Sequence, residues 1–127
     1  MMFLGKGSRR KRLSYVECFV AAVPNANEAE YKKHASKMAL VFKDHGADRV
    51  VDCWGMVVPE GESTSFPLAV KAQPNETVAM GWVEWPSQAA RDEGMPKAMQ
   101  DPRMGMEHMP FDGKRLIFAG FEKFSEQ

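Results

Sequence analysis

The sequence predicts an α+β fold in which one four-stranded antiparallel sheet carries helices on a single face. Three observations predict it: four apolar, β-rich segments bounded by proline or turn residues, two capped helical segments between them, and the order strand, helix, strand, strand, helix, strand. That order is the ferredoxin-like split unit, expected here with its first and third strands central and parallel to each other.

Each element has its own signal. Leu13 to Val23 reads as the first strand, with Tyr15, Glu17, Phe19 and Ala21 on one side, Val16, Cys18, Val20 and Ala22 on the other, and Pro24 as its stop. Asn27 and Glu30 have the spacing of a capping box. Tyr31, Ala35, Met38 and Phe42 then form one apolar helical stripe, and Gly46 is placed as the helix stop. Asp48 to Val58 is the second strand. The long connection from Pro59 to Asn75 holds a short helix over 65–72, with Pro67 in its first turn. Thr77 to Trp85 is the third strand, and Ser87 is the expected cap of a helix from Gln88 toward Gln100. Gly94 and Pro96 predict a kink or break in that helix near Met95. Asp112-Gly113 is turn chemistry ahead of a fourth strand over 115–124.

A chain of 127 residues is one ordinary domain, here 13–124 between a basic extension over 1–12 and a tail over 125–127. Lys plus Arg equals Asp plus Glu at 17 each, so nucleic acid is not the expected partner, although Arg9-Arg10-Lys11-Arg12 carries a local positive charge. No apolar run approaches the roughly 18 to 20 residues of a membrane span, and no signal-peptide pattern opens the chain, which makes the expected location cytoplasmic. Cys18 and Cys53 lack metal or redox spacing and are expected as buried, reduced thiols. No metal site and no cofactor are expected.

Small residues Cys18, Cys53, Gly55, Ala79 and Gly81 are assigned to the helix-covered face. The opposite face then holds Tyr15, Glu17, Phe19, Asp52, Trp54, Met56, Met80, Trp82 and Glu84. Such an aromatic surface would not face water in a monomer, so a homodimer packed sheet to sheet is expected, with a cavity between the two sheets.

The segments Tyr15-Val16-Glu17-Cys18-Phe19-Val20-Ala21-Ala22-Val23-Pro24, Phe42-Lys43-Asp44-His45-Gly46-Ala47, Glu84-Trp85-Pro86-Ser87 with Arg91-Asp92, Asp101-Pro102-Arg103-Met104 and Met109-Pro110-Phe111-Asp112-Gly113-Lys114-Arg115 resemble the YbaA-like family of uncharacterised bacterial proteins. The resemblance runs from about Leu13 to Phe124; the extension before it falls outside. It implies the fold of the dimeric α+β barrels, a group with small cofactor-independent monooxygenases, stress-response proteins and haem-handling members. It implies no particular reaction.

Candidate chemistry follows from residue types. If the third strand pairs antiparallel with the second, Glu84 lies near Asp52 beside Trp54 and Trp82, where desolvation and mutual repulsion would raise a carboxyl pKa as a general base or acid requires. Glu17 joins them as a ligand-binding residue, while Arg103, His108 and Asp112 would close one mouth of the cavity. The bland alternative pairs these acids with Arg49, Arg103 or Arg115. His34 and His45 read as solvated or capping helix residues. Met38, Met56 and Met80 read as core fillers, and Met95, Met99, Met104, Met106 and Met109 as a soft apolar lid. The leading expectation is a dimer that binds a small apolar or aromatic molecule, with cofactor-independent chemistry open to it. The alternatives are a non-enzymatic stress or scaffolding dimer and, behind it, an RNA-binding protein.

Overall fold

The computed structural model describes residues 14–105 and 109–127. The expected extension and residue Leu13, with Met106, Glu107 and His108, lie outside them. Four strands, β1 (Tyr15–Pro24), β2 (Arg49–Trp54), β3 (Glu76–Trp85) and β4 (Ile117–Glu122), form one sheet in the order β2-β3-β1-β4. Helices α1 (Glu28–Asp44) and α3 (Gln88–Met99) are long; α2 (Phe66–Ala69) is a single turn. All strand pairs are antiparallel. The central strands β1 and β3 therefore run antiparallel, not parallel as expected; β1 and β2 are the co-directional pair, split by β3.

Most caps are where the residue types place them. Ser87 Oγ accepts from Ala90 N at 3.0 Å to open α3, and Ser65 Oγ accepts from Leu68 N at 3.1 Å to open α2, with Pro67 in its first turn. Gly46, at φ +112°, closes α1: its N–H reaches Lys43 O, and Ala47 N–H reaches Phe42 O at 3.0 Å. The capping box does not form. Asn27 instead donates its amide to Pro110 O at 3.0 Å and ties the start of α1 to the segment before β4. Nor does α3 break: it runs continuously through Gly94 and Pro96. Gly94 is there for packing, since a Cβ would stand 2.2 Å from His45 O and 2.6 Å from the Trp85 ring.

The strand register decides which face each side chain uses. Asp52 pairs with Gly81, Gly81 with Phe19, and Phe19 with Phe118, so these four share one face with Glu17, Val50 and Val83. Trp85, Val83 and Ala47 pack there with Phe42 of α1 and Met95 of α3, and Ala21, Val23 and Ala79 pack with Tyr31 and Trp54. Tyr15, Glu17, Phe19, Asp52 and Trp54 thus belong to the helix-covered face, against expectation. Cys18, Cys53, Met80, Trp82 and Glu84 occupy the other. Since side chains alternate with period two, a one-residue error of phase moves a whole strand's set across the sheet.

That other face is closed at one end, where Val58, Val70 and Ala72 of the β2–β3 connection cover Val20, Ala22 and Val78. Elsewhere no described element covers it: Phe121 is 54% and Ile117 43% exposed. Cys53 is exposed and Cys18 half-buried, so neither is the fully buried thiol anticipated; both are unbridged. Met38 is a core residue, whereas Met56 is 89% exposed just past β2.

Candidate functional site

A cavity of about 400 Å³ lies between the sheet and its helices, within one chain. This is not the inter-sheet space expected from the sequence. Helix α1 contributes Tyr31, His34, Ala35, Met38 and Phe42, at i, i+3, i+4, i+7 and i+11 of one helical face. Arg91, Met95 and Met99 come from α3, one turn apart. The sheet adds Glu17, Phe19, Val50, Asp52 and Val83, and the chain leading into β4 adds Met104, Met109, Phe111 and Leu116. Phe118, exposed on the edge strand β4, completes the lining. Gly81 makes room on the floor: a Cβ there would overlap the Phe19 ring at 2.6 Å.

Polar groups on this wall are few. Glu17, only 8% exposed, receives two hydrogen bonds from Arg91, Nε to Oε1 at 2.9 Å and Nη2 to Oε2 at 3.1 Å. The fork holds β1 to α3, and the Glu17 carboxylate in turn holds the Arg91 guanidinium above its ordinary pKa. Burial pushes the Asp52 carboxyl up. Burial first, then the Asp52 charge, push the Tyr31 phenol up to about 12. Burial, with Lys37 second, pushes His34 down, so its imidazole is neutral near pH 7.

Asp52, Tyr31 and Ala35 also face an outer groove of about 250 Å³, completed by Lys32, Ser36 and Trp54. They form a wall between interior and exterior. Tyr31 stacks obliquely on Trp54, centroids 5.9 Å apart, and edge-on against Phe111 at 5.7 Å. Lys32 Nζ sits 5.6 Å from the Trp54 ring centre and 2.7 Å from Glu28.

The residues singled out from the sequence are scattered about this arrangement. Asp52 and Glu17 line the cavity. Glu84 is on the opposite face, because Glu84 pairs with Arg49 and Asp52 with Gly81; three residues of offset separate the two carboxylates by a sheet. There Glu84 Oε2 accepts from Arg49 Nη2 at 2.7 Å and Trp82 Nε1 at 2.9 Å, the structural pairing that was the bland alternative. Burial works to raise the Glu84 carboxyl, but Arg49, Trp82 and Lys123 together bring it below its ordinary pKa.

Arg103 is not on the cavity wall. Its Nε and Nη2 grip Asp101 at 2.9 and 2.7 Å, and Nη1 reaches Asp44 at 2.9 Å. Asp101, held well below the usual carboxylate range chiefly by Arg103, also meets His45 Nε2 at 3.0 Å. This cluster seats Met104, buried in the cavity wall with Met38, Val41 and Ala98. Asp112 caps the turn Gly113–Arg115 by accepting from Lys114 N at 3.0 Å and binds Arg115 at 3.0 Å. His108 lies outside the described residues.

Sequence reasoning missed His34 and Arg91. Both were findable: His34 falls three residues after Tyr31 and four before Met38, inside the stripe already drawn, and Arg91, Met95 and Met99 repeat every four residues. Among the described residues no group of three or more His, Cys, Asp or Glu is arranged to hold a metal ion. No helix among them is long and apolar enough to cross a membrane.

Residues 14–113 match the family model described as "Protein of unknown function (DUF1428)". The uncharacterised protein YbaA of Escherichia coli K12 is 47% identical over 117 residues, covering 91% of this chain and 100% of its own length, and YbaA of Shigella flexneri gives the same figures. Among solved structures, a Bacillus cereus protein provisionally described as an antibiotic biosynthesis monooxygenase superposes with a TM-score of 0.55 at 9% identity, covering 91% of this chain and 97% of that one. At that identity the likeness is one of fold.

Proposed function

This chain belongs to the DUF1428 family, and from that premise we propose that it binds a small apolar or aromatic molecule in the cavity between sheet and helices. The observation that carries the reading is the lining: apolar and thioether side chains surround about 400 Å³, broken among the described residues by the Glu17–Arg91 pair, Asp52, His34 and the Tyr31 phenol. A space of that size with a few polar groups has the character of a ligand pocket, and a packed core leaves no such void. Cofactor-independent chemistry is the extension of this reading, on a fold shared with a Bacillus cereus protein provisionally described as an antibiotic biosynthesis monooxygenase. Asp52 is the group for it, a solvent-exposed carboxyl on the cavity rim whose pKa partial burial raises, so that it can take up and release a proton.

The protein acts as a homodimer formed through the open sheet face. Ile117 and Phe121 are too exposed for an isolated protomer, and they share that face with Trp82, Met80 and Val16. Light scattering after size exclusion at micromolar concentration should give twice the chain mass, and Phe121→Lys should halve it. A monomeric native protein ends the dimer reading.

Ligand capacity is tested with N-phenylnaphthylamine, a neutral fluorescent probe. Saturable binding at one site per chain is expected, and it should be lost in Ala35→Phe, whose ring would occupy the cavity. Absence of saturable binding, or binding indifferent to Ala35→Phe in a variant that still folds, overturns the reading in favour of a non-enzymatic scaffolding dimer.

A further inference from the structure

The charge inventory of the cavity is unequal, and the inequality names a ligand class. Among the described residues, four chargeable side chains other than tyrosine and cysteine line it: Glu17, Arg91, Asp52 and His34. The Glu17 and Arg91 charges cancel in a two-point fork, and the third guanidinium nitrogen, Nη1, lies 3.3 Å from Asp92. His34 is neutral near pH 7. Lys32, the cation of the adjoining groove, is held by Glu28 at 2.7 Å. Of the charged groups, Asp52 alone has no hydrogen-bond or ion-pair partner among the described residues; it is exposed and opens on both the cavity and the groove. Beside it stand Tyr31 and, against Tyr31, Trp54 and Phe111, aromatic rings whose faces attract cations.

We infer that the ligand is an apolar aromatic amine, whose ammonium group is anchored by the Asp52 carboxylate while its hydrocarbon body fills the methionine-walled cavity. The inference rests on the ligand-binding reading and specifies it. An ammonium supplies the charge that Asp52 lacks, and its hydrogen bond to a carboxylate is of the strong, charge-assisted kind. A carboxylate of the same shape meets Asp52 with no free cation among the described residues of the wall to compensate it, and like charges brought together at the edge of an apolar cavity repel. An alcohol falls between, donating a hydrogen bond without charge.

Three probes on one skeleton separate these cases: naphthylmethylamine, naphthylmethanol and naphthoate, titrated calorimetrically into the intact protein near pH 7.5. The expected order is amine, alcohol, carboxylate, with the amine at least about tenfold tighter than the alcohol. Asp52→Asn should remove that tenfold and strengthen naphthoate, leaving the alcohol nearly unchanged; because Asn keeps the shape, retained alcohol binding shows that the cavity is intact. Equal affinities, tightest binding of naphthoate, or an amine preference that survives Asp52→Asn overturns this inference while the ligand-binding reading stands. Failure of all three, together with failure of N-phenylnaphthylamine, removes both.

Discussion

Breaking the Glu17–Arg91 fork from one side should cost far more than removing it whole. Arg91→Met keeps most of the aliphatic bulk of the arginine but strips two charge-assisted hydrogen bonds, at 2.9 and 3.1 Å, from a carboxylate whose side chain is only 11% exposed. An uncompensated buried charge typically costs about 3 to 5 kcal/mol. The lower end, about 3 kcal/mol, applies because water can reach the carboxylate through the cavity. Glu17→Leu should cost about 1 kcal/mol, since Arg91 is 28% exposed and keeps water and Asp92 as partners. Once Glu17→Leu is in place, adding Arg91→Met removes nothing the fold depends on, so the double variant should lie within about 1 kcal/mol of the native protein and the coupling should be about 3 kcal/mol. Urea unfolding at fixed protein concentration, followed by the fluorescence of buried Trp85, measures all four corners. In thermal scans Arg91→Met should lose roughly 10 °C. A double variant as unstable as Arg91→Met, or a coupling below about 0.5 kcal/mol, would refute the account of the fork as a compensated buried pair.

Three further outcomes are expected. Asp52 has a folded pKa raised by burial, so its contribution to stability is present below the unfolded value of about 3.9 and lost as pH rises through the folded one; Asp52→Asn should raise Tm near pH 7 and leave it unchanged near pH 3. Glu76 has the opposite sign: two 2.7 Å bonds from Arg115 lower its pKa, so Glu76→Gln should lose about 1 to 2 kcal/mol above pH ~4.5, with the difference from native shrinking on acidification. A difference that grows in acid would contradict it. Gly94→Ala sets a helix-propensity gain of about 1 kcal/mol against a Cβ 2.2 Å from His45 O, and overpacking of that kind should win with a net loss of about 1 to 2 kcal/mol. Neutral or improved stability in urea would show that α1 and α3 are less tightly opposed than they look.

Local chemistry was readable wherever one residue type has one physical use. Gly46 at a left-handed helix stop, Ser87 as a cap and Asp112 heading a turn were legible because each satisfies orphan backbone groups nearby in sequence. The faces of the sheet were not. Strand β3 is apolar on both sides, with Val83 and Val78 on opposite faces, so alternation could not fix its phase against β1 and β2. Small residues did not fix it either: Gly81 and Ala79 face the helices, whereas Cys18 and Cys53 face away. That single ambiguity joined Glu84 to Asp52 on paper and placed the cavity between two chains. The Glu17–Arg91 contact spans 74 residues, and separation of that kind carries no periodic signal. Asn27 illustrates the same limit: its local cap partner lost to a carbonyl 83 residues away.

Met38, Met95, Met99, Met104 and Met109 place five thioethers on one small cavity, and Met99 is 41% exposed at its edge. Thioethers are the apolar side chains that oxidants convert to polar, chiral sulfoxides. Each conversion here would add a strong hydrogen-bond acceptor to the apolar part of the lining. The residues that make the cavity accommodating therefore also tie the polarity of its lining to the redox state of the surroundings, with Met99 the first to register a change and buried Met104 the last.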